Sequence, residues 1–193
     1  MDGSVLAFSA LCVACVVHGG CYVARRLLLR AAVTDGWDLL SRALHNRHDM
    51  LDSVRRIVRR DGLEQSLGFH AVTEAQSAAR EALKGDDFQR IVGAEHRLGA
   101  RLEAVMALIA DHRSPDTDAG AGGLDDLHAC LTVANTAVDI AALRYNTAVE
   151  RNNAEVNAAR FDWIVAFSGP AYALAFRPAG QRIETDEPYV LIA

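Results

Sequence analysis

Between Ser4 and Ala24 the chain reads SVLAFSALCVACVVHGGCYVA, 21 residues without an ionised side chain. As a helix rising 1.5 Å per residue it spans about 31 Å, close to the roughly 30 Å hydrocarbon core of a bilayer. No proline occurs before Pro115, and Asp61-Gly62 is read as the end of the helix. The apolar run is therefore predicted to continue, as one helix, into the arginine-rich amphipathic stretch that ends near Arg60. Everything downstream has to serve as a partner for that helix.

Two processed forms compete with a retained anchor over residues 1–24. A cleaved signal peptide calls for a positive n-region, and this terminus offers Asp2 and the amine. Lipoprotein processing at Cys15 or Cys21 would follow Cys-Val-Ala or His-Gly-Gly, neither of which suits it. Retention is the reading adopted. Cys12-x-x-Cys15 has a redox-type spacing, but inside this run both are read as small apolar residues. Arg25, Arg26 and Arg30 follow the span and no basic side chain precedes it. The positive-inside rule then puts the N-terminus outside and the body in the cytoplasm, a single-pass protein of the cell (inner) membrane. A lone Cys130 in the body is compatible with a reducing compartment.

Charge is unevenly placed. From Arg25 to Arg60 nine arginines face Asp35, Asp38, Asp49 and Asp52, a balance of +5 that leaves −10 for the rest of a chain whose total is −5. A basic root beneath an acidic body suits an anionic membrane surface, each arginine near it contributing about 1 kcal/mol. It does not suit a nucleic-acid binder, whose positive charge spreads over a reading face.

The composition is helical: apolar residues make up 51% and aromatics only 6%. Val33, Trp37, Leu40, Leu44, position 47, Leu51, Val54 and Val58 recur in steps of three and four, a coiled-coil-like seam. A second helix is predicted from Leu63 to Lys84 with a small face of Ala71, Ala75, Ala78, Ala79 and Ala82. Asp86 and Asp87 suit the start of a third, whose seam is Phe88, Ile91, Glu95, Leu98, Leu102, Val105 and Ile109. Residues 112–123 form the one convincing loop. A fourth helix is predicted from about Leu124 to Phe161, with Leu127, Leu131, Ala134, Val138, Ala141, Tyr145, Ala148 and Asn152 on its seam. The fold class expected is all-α, an N-terminal transmembrane helix continuing into an antiparallel four-helix bundle over 25–176. An apolar tail from Trp163 is broken at Gly169-Pro170, and 177–193 reads as an irregular, solvated end.

Three strings in order resemble the LemA family. Trp37-Asp-Leu-Leu-Ser-Arg-Ala-Leu44-His-Asn-Arg47-His-Asp49-Met-Leu51 is similar to its W-x-x-(V/L)-x-x-x-L-x-x-R-x-D-L-(I/V) segment. Tyr145-Asn146-Thr-Ala-Val149-Glu-Arg-Asn152-Asn153-Ala-Glu-Val156 is similar to its Y-N-x-x-V-x-x-Y-N-x-x-I, and Ala175-Phe176-Arg177-Pro178 to its G-F-(K/R)-P. The chain departs from the pattern at Asn46, at Asp52-Ser53, at Ala142 and at Asn152. The resemblance implies a membrane-anchored antiparallel helical bundle with no established enzymatic activity. Because some relatives help to form magnetosome membranes, it also implies scaffolding at membranes.

Candidate chemistry is sparse. His45, His48, Asp49 and Asp52 lie near one face of the first helix and are the weak metal candidates, with His96 as an outside ligand in a hydrolase reading. Against them stands the bland reading of a solvated polar face. Arg47 and Glu95 each interrupt an apolar seam and are expected to pair across helices, fixing which helix meets which. Tyr145 and Asn146 are read as core organisers. No nucleophile–base pair and no phosphate-binding glycine loop is present, since Gly120-Ala-Gly-Gly123 lacks the lysine and the preceding strand. The expectation is a non-enzymatic scaffold without a cofactor, its partners membrane lipids, further proteins and, through Gly19-Gly20, a second copy of the chain. The alternatives are a membrane-linked sensory or signalling protein and a metal-dependent hydrolase.

Overall fold

A computed structural model describes residues 3–60, 62–65, 67–111, 121–158, 175 and 176, with side chains in the two long helices from residue 8 and from residue 125. Four helices account for nearly all of them: α1 (Gly3–Arg60), α2 (Phe69–Leu83), α3 (Phe88–Asp111) and α4 (Ala121–Ala158). Among the described residues there is no strand. The fold is all-α, and α1 is one unbroken helix of 58 residues, long and apolar enough in its N-terminal part to cross a membrane.

The end of α1 has a specific stop. Gly62 takes φ +70°, which an L side chain adopts only with strain, and its N–H donates to the Arg59 carbonyl at 3.3 Å. The Leu63 N–H then reaches the Val58 carbonyl at 2.9 Å, completing a Schellman motif. Gly68 repeats the device at φ +59°, with Gly68 N–H to the Gln65 carbonyl at 3.2 Å and Phe69 N–H to the Glu64 carbonyl at 3.1 Å. That second left-handed residue corrects the expected start of the second helix at Leu63: α2 begins at Phe69, because the backbone turns at Gly68 before it can propagate. The α2 face is corrected too. Its buried residues are Phe69, Val72, Gln76, Ala79 and Ala82, while Ala71 and Ala75 are half-buried and Ala78 is exposed.

Asp87 caps α3, its Oδ1 accepting from the Arg90 N–H at 3.1 Å. α4 starts at Ala121, earlier than the Leu124 expected, so Gly122 and Gly123 belong to its first turn. Glycine costs a helix about 1 kcal/mol relative to alanine, and the buried Leu127 and Leu131 that follow hold the helix in place regardless. Residues 112–120 and 159–161 lie outside the described residues. So does the tail from Trp163, apart from Ala175 and Phe176.

The described residues fall into two compact units. One takes α1 up to Ala43 together with Ile140–Phe176; the other takes Leu44–Asp139. In the first, Gly36 lets two backbones approach: a Cβ there would lie 3.1 Å from Tyr145 Cα. Trp37 and Tyr145 pack ring against ring beside it, centroids 5.7 Å apart and planes tilted by 60°. In the second, Leu44, Leu51, Val54 and Val58 of α1 are buried together with the seams of α2, α3 and the first part of α4. α2 and α3 pack directly on each other.

Candidate functional site

The second unit buries a polar cluster where three helices meet. Arg47 and His48 are adjacent on α1, Gln76 is central on α2 and Glu95 interrupts the α3 seam, and all four are buried. Arg47 Nη2 donates to Glu95 Oε2, and His48 Nε2 lies 2.9 Å from Glu95 Oε1. An ionised carboxylate only accepts, so the imidazole proton sits on Nε2. His48 Nδ1 has no hydrogen-bond partner. Gln76 Nε2 donates to the His48 carbonyl and to Asp52 Oδ1, both at 2.9 Å.

Around this core lies an outer, wetter ring. Arg80 Nη2 stands 2.7 Å from Asp52 Oδ2 and 3.2 Å from Asp49 Oδ1. Burial raises the Asp52 carboxyl, but the hydrogen bonds from Arg80 and Gln76, with the charges of Arg80 and His48, outweigh it and hold the group below the usual carboxylate range. Asp139 of α4 feels Arg47 as well. Its residue surface is exposed, yet partial desolvation of its carboxyl pushes it up, and the guanidinium offsets only part of that.

The weak metal candidates are dispersed by these contacts. His48 is turned onto Glu95, Asp49 and Asp52 are held by Arg80, and His45 and His96 are exposed. Among the described residues no group of three His, Cys, Asp or Glu side chains is placed to hold a metal ion. What the cluster can do is pair charge. It sets Arg47 and His48 against the Glu95 carboxylate and ties the group to α2 through an amide, which specifies which helices meet more than it stabilises them.

A second constellation lies in the first unit. Asn146 forms a two-point match with the backbone of Phe176: its Nδ2 donates to the Phe176 carbonyl, and its Oδ1 accepts from the Phe176 N–H at 2.7 Å. Phe176 is buried, and burial pushes the neighbouring Tyr145 hydroxyl up to about 12. Thus Trp37, Tyr145, Asn146 and Phe176, drawn from three separate strings of the sequence, form one packed group, whereas Pro178 lies outside the described residues. Outside both groups, α4 leaves Val133, Ile140 and Leu143 exposed.

Reading the sequence missed Gln76, Arg80 and Gly36. Gln76 had a signal, being the one amide at a three-or-four step between Val72 and Ala79. Gly36 had a weaker one, a glycine in mid-helix without a turn. Comparison with protein-family models, with curated proteins and with solved structures gives no match.

Proposed function

We propose that this chain is a non-enzymatic, membrane-anchored helical scaffold of the LemA type, crossing the inner membrane once and holding an antiparallel four-helix bundle in the cytoplasm. One observation carries the reading: the two ends of α1 meet different surroundings. Phe8, Leu11, Val13, Val16 and Val17 are all more than half exposed, whereas further along the same unbroken helix Leu40, Leu44, Leu51 and Val58 have no exposed surface. A bare apolar surface of that length is stable in lipid and not in water. The basic residues Arg25, Arg26 and Arg30 at its end support the orientation. The exposed Ile140 and Leu143 of α4 support an interaction with protein partners.

The native cysteines provide the test. Cys12, Cys15 and Cys21 lie in the anchor and Cys130 is exposed on the body. In intact cells expressing the chain, a membrane-impermeant maleimide is expected to leave Cys130 unlabelled until the membrane is opened. The protein itself should stay in the membrane fraction through alkaline carbonate extraction. Release by carbonate would refute the anchor. Labelling of Cys130 in sealed cells would refute the orientation.

A further inference from the structure

Arg26 is anomalous. It is 1% exposed, the largest side chain among the described residues to be so fully buried, and none of its three guanidinium nitrogens has a hydrogen-bond partner. One helical turn earlier on the same face of α1, the Tyr22 hydroxyl is also buried and also without a partner. The nearby acid does not serve it: Glu155 of α4, 16% exposed, is held 2.8 Å from Arg25 Nη2. Burying a guanidinium unpaired forfeits its hydration with nothing in return, which is why buried arginines in native proteins face an anion.

We infer that Tyr22 and Arg26 form a site for a phosphate group, bound where α1 leaves the apolar run. A guanidinium presents five N–H donors in a planar fork that matches two phosphate oxygens at once, and the phenol adds a sixth donor one turn away. The match needs several acceptor oxygens on one centre, which phosphate has and a chloride ion lacks. Position selects the source. The uncharged run ends at Ala24, so Tyr22 and Arg26 sit about 3 Å to either side of its end along the axis, at the level of lipid head groups. Val23, Leu27 and Leu28 remain exposed around them, an apolar collar for acyl chains. The ligand is the phosphate of an anionic phospholipid, and the same donors take a free phosphate if none is present. This site rests on the proposed membrane anchorage.

The test uses the full chain, delipidated in an uncharged detergent, and follows thermal unfolding with phosphatidylglycerol or inorganic phosphate as probes. At a hundredfold excess over Kd, a ligand of the folded state raises Tm by about 5–10 °C in a chain of this size. That rise is expected with phosphatidylglycerol for the unaltered chain and for Arg25→Gln, which removes the same charge from an exposed neighbour. Arg26→Gln should bind the lipid at least tenfold more weakly and, without lipid, should melt higher than the unaltered chain, because the unpaired charge is gone. Tyr22→Phe should weaken binding about threefold, the loss of one hydrogen bond. A phosphate-induced rise that Arg26→Gln abolishes supports the site with a free-phosphate source. A purely structural arginine would behave otherwise: Arg26→Gln would melt lower with and without lipid and keep the full lipid-induced rise, and that result overturns the inference. Equal losses in Arg25→Gln and Arg26→Gln overturn it too, since they mark diffuse attraction. Retention of every variant in the carbonate-washed membrane fraction keeps this outcome separate from a failure of the anchor.

Discussion

Replacing Glu95 by leucine isolates the energetics of the buried cluster. The change removes the carboxylate that accepts from both Arg47 and His48 and leaves Arg47, 6% exposed, without an anion. Breaking a buried ion pair from one side costs about 3–5 kcal/mol. The imidazole gives no relief by changing tautomer, because His48 Nδ1 has no partner to donate to either. For a chain of this length each kcal/mol moves Tm by about 2–4 °C, so Glu95→Leu should lower it on the order of 10 °C. Arg47→Leu alone should cost less, about 1–3 kcal/mol, because Glu95 keeps the His48 donor. Joining the two changes removes both buried charges together and should return most of the loss, leaving a coupling of at least about 2 kcal/mol. Urea unfolding of the full chain in detergent, followed by far-UV circular dichroism, measures all three. A cost below about 1 kcal/mol for Glu95→Leu, or a double change no better than the sum of the singles, would refute the argument.

Three further outcomes are expected. Asn146→Asp keeps an acceptor for the Phe176 N–H but sets a carboxylate against the Phe176 carbonyl, and it should destabilise the first unit by about 1–3 kcal/mol, read as faster hydrogen exchange at the Phe176 amide; unchanged exchange would show that the pairing does not hold that segment. Gly36→Val drives a side chain into the Tyr145 backbone and should cost about 1–3 kcal/mol, while Gly36→Ala should cost less because helix propensity offsets part of the contact, and equal stability for both would mean that the two helices can part freely. In pH titrations of stability, Asp52 has its folded-state value depressed, so its contribution is present above the unfolded value and is lost as pH falls through the folded one; the acid limb should shrink in Asp52→Asn. Tyr145 is displaced the other way, to about 12, so the unfolded chain ionises first and stability should fall as pH rises from about 10, a limb that Tyr145→Phe removes.

How far the sequence alone carries depends on the range of the interaction. The unbroken α1, the stop at Gly62, the cap at Asp87 and the apolar seams of α1, α3 and α4 were legible because each is settled by neighbours within a few residues. Composition and three-and-four spacing were enough for an all-α fold. The α2 boundary was misplaced because a glycine inside a helical pattern reads as tolerated until its φ is seen to be positive, as at Gly68.

The candidate site was half legible. Arg47 and Glu95 stood out as charges on apolar seams, but their meeting, the capture of His48 and the part played by Gln76 depend on how three helices slide against one another. A shift of one turn, about 5.4 Å, would part Arg47 from Glu95 without altering any local pattern. Arg26 shows the same limit from the other side. In the sequence it is one of three arginines after an apolar run, indistinguishable from Arg25. Only the approach of other parts of the chain, which exposes one guanidinium and encloses its neighbour, separates them, since burial is a property of the surroundings and is not encoded at the residue itself.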